Sequence, residues 1–172
     1  MNQVLCGRGY ADQILGILNE AIANSTALWD YKPRTPAMMS SWFDAKEAGK
    51  FPVIGFVDAA NKLLAFGTYG TFRAWPAYKY TVEHSLYVEA SCRGKGLGSK
   101  MLAQIIAHAE EHGYHNLIGG IATENHVSIA THQKLGFEPC GTIRHAGYKF
   151  GKWIDLSFYQ RLLAGPQNPI ED

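Results

Sequence analysis

Seven consecutive residues, Arg93-Gly94-Lys95-Gly96-Leu97-Gly98-Ser99, put a glycine at every second position just before a stretch with helical periodicity. Such a loop lets backbone N–H groups converge on an anion, and the positive end of the following helix adds to the attraction. Phosphate is the group this cradle suits. The spacing disfavours a dinucleotide fold, which needs Gly-x-Gly-x-x-Gly, and a P-loop, which needs Gly-Lys-Ser/Thr in that order. The same glycines also suit a tight turn that lets a helix pack on a sheet. Just upstream, Val82, His84, Leu86 and Val88 alternate with Glu83, Ser85 and Tyr87. Glu83 and Tyr87 therefore share one face of a strand, free to line a cleft while the other face joins a core.

Other reactive side chains form no set. His108 and His112 stand four apart, but His-Ala-Glu-Glu-His puts Glu in the wrong place for the zinc protease motif. His115, His126 and His145 complete no ligand group, and Cys92 reads as a small loop residue rather than a nucleophile. No metal is expected.

Periodicity predicts the elements that must position these groups. A short strand from Val4 to Cys6 precedes a helix opened by Asp12 as N-cap and fading near Asn24, with the apolar stripe Ile14, Leu15, Leu18, Ala21 and Ile22. A loop carrying Trp29 and Tyr31 leads to a second helix, with Pro36 in its first turn and Gly49 as its stop. Runs from Val53 to Val57 and from Leu63 to Phe72 form a hairpin around Asp58-Ala-Ala-Asn61, and Thr81 to Val88 is the next strand. After the glycine loop comes an amphipathic helix with Met101, Leu102, Ile105, Ile106 and Ala109, ended by Gly113. Asn116 to Ala122 reads as a strand, Ser128 to Leu135 as a helix stopped by Gly136, and Phe137 to Ile143 and Trp153 to Tyr159 as the last two strands. Residues 1–164 make a single domain, and the tail 165–172, with Pro166 and Pro169, is expected to fray.

Composition narrows the function classes. At 172 residues there is room for one core, and 47% hydrophobic against 18% charged residues argues against disorder. A net charge of +1 gives no basic excess for phosphate backbones, so nucleic acid is a poor partner. No apolar run reaches the length of a membrane span and no signal sequence opens the chain. Three widely spaced cysteines without a Cys-x-x-Cys pair suit a reducing compartment, and the expected location is the cytoplasm.

Arg93, Gly96 and Gly98 meet the pattern Arg/Gln-x-x-Gly-x-Gly, and Asn125, Ser128 and Lys134-Leu-Gly-Phe137 follow about thirty residues later. On these residues the chain resembles the GCN5-related N-acetyltransferases (GNAT). Thr81-Val-Glu-His-Ser-Leu-Tyr-Val88, the segment from Asn125 to Phe137, and Gly147-Tyr-Lys-Phe-Gly-Lys-Trp-Ile-Asp155 make it most similar to the phosphinothricin or methionine sulfone acetyltransferase branch. The first half agrees more loosely, through Asn19-Glu-Ala21, Trp29 and Phe72-Arg73.

The resemblance implies an α/β fold with a single mixed, mostly antiparallel sheet, flanked by helices and splayed after Val88 to admit acetyl-CoA. It implies that N–H groups of Arg93, Gly94, Lys95, Gly96, Leu97, Gly98 and Ser99 hold the pyrophosphate. The main chain of Leu86, Tyr87 and Val88 would pair with pantetheine, Val88 N–H would polarise the thioester carbonyl, and Asn125 and Ser128 would serve the cofactor arm. Glu83 would be the base that frees the amine, with partial burial raising its pKa; without the resemblance it reads as an ordinary strand carboxylate. His132 occupies the place where many relatives carry a tyrosine acid. It is read equally as a functional group, acid or helper of Glu83, and as a helix histidine bonded to a backbone carbonyl. Tyr87 would contact the sulfur region or wall the cleft.

Arg73 suits an acceptor carboxylate or phosphinate, with Phe72, Trp75, Lys79 and Glu83 shaping the pocket, or it is a solvated loop arginine. The implied acceptor is a small amino-acid analogue. A peptide N-terminus or a polyamine, and a non-catalytic acetyl-CoA sensor, are the alternatives; Arg73 opposes a polyamine and Glu83 opposes a sensor. A homodimer is the expected assembly.

Overall fold

Val53-Ile-Gly-Phe-Val57 is apolar almost throughout, as a strand covered on both faces must be, and all of it is buried. It sits in a seven-stranded sheet whose order is β1-β2-β3-β4-β5-β7-β6 in the computed structural model, which describes residues 1–171. The strands are β1 (Asn2–Leu5), β2 (Val53–Val57), β3 (Leu63–Thr71), β4 (Thr81–Val88), β5 (Asn116–Ala122), β6 (Glu138–Lys149) and β7 (Lys152–Leu162). The helices are α1 (Ala11–Asn24), α2 (Pro36–Ala48), α3 (Leu97–Glu111) and α4 (His126–Lys134). Neighbouring strands run antiparallel except β4 and β5, so the expected mixed, mostly antiparallel sheet is the one found.

Side-chain alternation divides the core into two layers. Ile54, Phe56, Ala65, Tyr69 and Val82 pack with the stripe Leu97, Met101, Leu102, Ile105, Ile106 and Ala109 of α3. On the opposite face Val53, Val57 and Phe66 meet Ile14, Ile17 and Leu18 of α1 and Met39 and Phe43 of α2. Within β4 the division falls as the alternation predicts: Leu86 and Val88 pack on the α3 side and Tyr87 on the α1 side.

The feature that positions the site is a break in one ladder. β4 and β5 pair only from Thr81↔Asn116 to His84↔Gly119. Beyond that, β4 stays on β3 as far as Val88, and β5 stays on β7 as far as Ala122. Residues 85–88 and 120–122 therefore diverge, each held by its outer neighbour.

Several expected boundaries move. α1 starts at Ala11 behind Tyr10, so Asp12 lies inside the first turn, where its charge complements the helix dipole, rather than at the N-cap. In α2, Thr35 is the N-cap and accepts from Met38 N–H. Asn125 caps α4 in the same way through Ser128 N–H, so the helix opens at His126, two residues ahead of the expected Ser128. The last two strands are longer than predicted because a register shift between Ile143 and Gly147 breaks their alternation, and β6 is exposed along nearly its whole length. Residues 163–171 carry no helix or strand, and Ile170 N–H donates to Tyr80 Oη at 3.2 Å. Residue 172 of the tail expected to fray lies outside the described residues.

Gly67 marks how closely α3 approaches the sheet: a Cβ there would lie 2.5 Å from Ile105 Cδ1 and 2.9 Å from Met101 Cγ. Gly67→Ala is expected to destabilise the fold by about 1–3 kcal/mol through overpacking. Gly70→Ala, whose Cβ would meet nothing closer than Lys46 Nζ at 3.4 Å, is the control expected to change little. Urea denaturation of both variants checks this, and equal midpoints would show that α3 yields at no cost.

Candidate active site

The divergence of β4 and β5 opens a cavity of about 300 Å³. Its walls are residues 26–29 from the α1–α2 connection, the parted segments of the two strands, and Asn125, Ser128 and His132. Glu89 N–H bonds Leu64 O at 2.9 Å, which fixes the phase of the β3–β4 ladder. By the two-residue alternation of an antiparallel pair, the N–H and C=O groups of Leu86 and Val88 then point away from β3, to the side β5 has left.

Glu83 stands at the closed end of this wedge, one residue before the ladder stops. Gly120 gives its carboxylate room, since a Cβ at that glycine would lie 3.0 Å from Glu83 Oε1. Burial raises the Glu83 pKa above the ordinary carboxylate value, and the charge of Arg73 partly opposes the rise. Tyr87, on the same face, lines the cavity, bonds the Ser85 side chain and is pushed up to about 12 by burial, so its hydroxyl keeps its proton at neutral pH.

A pair of histidines sits at the apex. His132 Nδ1 donates to Ser128 O at 2.7 Å, because a carbonyl can only accept, and with the ring neutral Nε2 accepts from His84 Nε2–H at 3.1 Å. The rings stack with centroids 5.1 Å apart, and both are buried. Burial lowers both pKa values, that of His84 to about 3 with help from His132. Only glycine fits beneath them: a Cβ at Gly119 would lie 2.9 Å from His84 Nε2. Both nitrogens of His132 are thus engaged within the protein.

The glycine loop divides its work. Gly94 and Gly96 adopt φ values of 77° and 75°, in the left-handed region. Gly98 packs toward the Leu86 and Val88 side chains, 3.9 Å from where its Cβ would be. The N-cap of α3 is Gly96 with no side chain to cap the helix, so the first-turn N–H groups stay open to an anion. Leu97 is buried, and Ser99 lies in this first turn. The two cations of the loop brace it: Lys95 Nζ donates to Ser91 O at 3.1 Å, while Arg93 Nε donates to Val88 O at 3.2 Å and its guanidinium holds the Glu20 carboxylate. Asn125 Oδ1 is taken up by the Ser128 N–H at 3.1 Å.

The residues proposed for the acceptor do not gather with Glu83. Arg73, Trp75 and Lys79 line a separate recess of about 280 Å³ with Phe51 and Tyr114. Phe72 packs on Tyr78 and Phe158, and the Arg73 guanidinium lies 5.1 Å over the Phe72 ring. Arg73 thus reaches Glu83 through its charge. Sequence reasoning missed His84, Leu156 and the wall from Thr26 to Trp29 as cavity residues. The available signal was Gly119-Gly120, two glycines inside a strand, which mark close approach by other groups. The discounted His108 and His112 stack at 3.9 Å, with His108 Nδ1 bonded to Tyr69 Oη.

Comparison with known proteins agrees with this geometry. Residues 18–137 match the model of the acetyltransferase (GNAT) family. An L-methionine sulfoximine/L-methionine sulfone acetyltransferase of Pseudomonas paraeruginosa is 41% identical over 147 residues, covering 86% of each chain. The structure of a putative acetyltransferase from Acinetobacter baylyi has a TM-score of 0.98 at 48% identity, covering 99% of this chain and 96% of that one. A phosphinothricin acetyltransferase from Sinorhizobium meliloti, solved in complex with acetyl-CoA, has a TM-score of 0.91 at 28% identity, covering 94% and 88%. With an opened β4–β5 ladder, an uncapped glycine loop behind it and a family match across well over half its length, the chain belongs to the GNAT acetyltransferase family.

Proposed function

We propose that this protein is an acetyl-CoA-dependent N-acetyltransferase whose acceptor is the amino group of a small amino-acid analogue of the methionine sulfoximine, methionine sulfone or phosphinothricin type. The observation that carries the reading is the half-buried carboxylate of Glu83 beside the wedge that β4 opens on leaving β5. Relatives named for these acceptors support the substrate class.

Acetyl-CoA supplies an acetyl group activated as a thioester. The open N–H groups of residues 94–99 suit its pyrophosphate, and the outward-facing backbone of Leu86 and Val88 suits the pantetheine amides, with Val88 N–H as the donor to the thioester carbonyl. Asn125 and Ser128 line the same cleft. An ammonium must lose a proton before its nitrogen attacks, and Glu83, directly or through a water, takes it. Tyr87 keeps a proton to return to the departing sulfur, a role His132 lacks the free N–H to fill. Arg73 serves an anionic acceptor group from the neighbouring recess and opposes a polyamine. A homodimer completes the reading, supported by β6, a sheet edge with Ile143 and Tyr148 exposed beside exposed Phe150 and Trp153.

Acetyl-CoA-dependent thiol release is expected with phosphinothricin, methionine sulfone and methionine sulfoximine, and not with spermidine or a peptide; release only with the last two would discard the acceptor class. Glu83→Gln is expected to lower kcat by ~10²–10⁴ without lowering thermal stability, because it removes a carboxylate that burial disfavours. The active form of Glu83 is the carboxylate, so kcat falls as pH drops through its raised pKa. Removing the Arg73 charge raises that pKa further, so Arg73→Ala moves the acidic limb to higher pH and raises the acceptor KM. Tyr87→Phe lowers kcat and leaves the acidic limb in place. A limb unmoved in the Arg73 variant would separate it from Glu83. Light scattering is expected to give twice the chain mass of 19.0 kDa, and the single mass would remove the dimer.

A further inference from the structure

The segment Gly147-Tyr-Lys-Phe-Gly-Lys-Trp-Ile-Asp155 takes no part in the chemistry above, yet it holds a buried cation. Lys149 is 5% exposed at the end of β6, and its Nζ donates to three carbonyls: Ile22 O at 2.7 Å, Ser25 O at 2.9 Å and Leu28 O at 2.6 Å. An ammonium carries three N–H donors on one point charge and fills such a cage completely, whereas a flat guanidinium cannot. Ile22 lies in the last turn of α1, so the charge also meets the negative end of that helix. Phe150 and Gly151 take φ values of 52° and 75°, the left-handed pair of a tight hairpin turn, which sets Lys149 opposite Lys152 at the tip of the sheet.

The caged carbonyls run from the last turn of α1 into the stretch that walls the cavity. Leu28 lines it directly, beside Thr26, Ala27 and Trp29. Further contacts from the same hairpin converge there. Gly147 seats the Trp29 indole, since a Cβ at 147 would lie 2.6 Å from Trp29 Cε3. Tyr31 Oη donates to Tyr148 O at 2.7 Å. Lys152 pairs at 2.5 Å with Glu124, whose carboxylate also bonds the Thr26 side chain. Inside the wall, Trp29 Nε1 donates to Thr26 O at 2.9 Å.

We propose that Lys149 and Gly147 are positioning residues that fix the 25–31 segment as the acceptor-side wall of the cavity, so that the β6–β7 hairpin sets which amino-acid analogue fits. The proposal rests on the acetyltransferase reading for its substrate. Neither residue lines the cavity, and the glycine loop that suits the pyrophosphate meets α1 through the Arg93–Glu20 pair rather than at the caged carbonyls, so the acceptor and acetyl-CoA sides should respond separately.

Lys149→Met keeps the aliphatic stem and removes the donors, while Gly147→Ala displaces the indole and leaves the cage intact. Both variants are expected to raise the KM for methionine sulfone at least ~10-fold and to leave the KM for acetyl-CoA within about twofold. Amide hydrogen exchange in residues 25–31 should quicken in both, with β2 and β3 unchanged. Should Lys149→Met not fold, Gly147→Ala carries the same test without touching the buried charge. Equal rises in both KM values, or an unchanged acceptor KM, would overturn the acceptor role, and unaltered exchange in 25–31 would overturn the clamp itself. If the wild type transfers acetyl to spermidine or peptide alone, the substrate reading fails and takes the acceptor role with it, while exchange still decides the clamp.

Discussion

The parting of β4 from β5 is the constraint on which the site depends. A parallel ladder that continued to Val88 would satisfy the backbone of β4 and leave nothing to bind. It stops at His84↔Gly119, where two stacked imidazoles stand against a glycine that no other residue could replace without displacing them. Keeping both rings neutral is what makes this apex stable: burial disfavours their protonation, and the chain from His84 Nε2–H through His132 to Ser128 O uses one proton per ring. Burying a charge there would cost far more than the bonds return. The divergence survives because each strand keeps an outer partner, β3 on one side and β7 on the other.

Around this opening, charged residues hold backbone in place more than they do chemistry. The Arg93–Glu20 pair is partly exposed, with side chains 47% and 30% accessible, and such a pair adds on the order of 0–1 kcal/mol. Its consequence is positional: it ties the glycine loop to α1, while Arg93 also takes the carbonyl of Val88. Lys149 does the same two residues further along α1, at Ile22, in a drier setting. One helix thus connects the loop that faces the anion with the wall that faces the acceptor, and both connections run through cations donating to oxygen. Glu83 differs in having no salt-bridge partner among the described residues, with room from Gly120 and the charge of Arg73 setting how readily it accepts a proton.

Much of this was legible before any fold was known. The bounds of β2, β4 and β5 follow from short apolar or alternating runs bordered by turn residues, and α3 from its stripe and the closing Gly113, because burial on a sheet imposes period 2 and on a helix period 3.6. The glycine loop announces itself because positive φ admits few residues other than glycine. Where burial is absent the pattern fades: β6 is exposed and broken in register, so its length could not be read from alternation. The starts of α1 and α4 moved because the backbone chooses which polar residue serves as cap: Asp12 falls inside the first turn of α1, while Asn125 caps α4 ahead of Ser128.

By itself, then, the sequence determined the separate strands and helices, the anion loop and the shared face of Glu83 and Tyr87, since each depends on residues near one another in the chain, while the mixed sheet came from the family resemblance. Only the tertiary structure decided what these groups are near. His84 and His132 lie 48 positions apart and find each other through the β4–β5–α4 crossover; Lys149 reaches Ile22 across 127 positions. Arg73 and Glu83, ten residues apart in sequence, end up lining different recesses because the connection from β3 to β4, with its turn at Pro76–Tyr78, lies between them. Local patterns record which face of an element is buried, whereas a proton's owner, a cation's cage and the residue opposite a carboxylate are set by contacts between elements that no local period encodes.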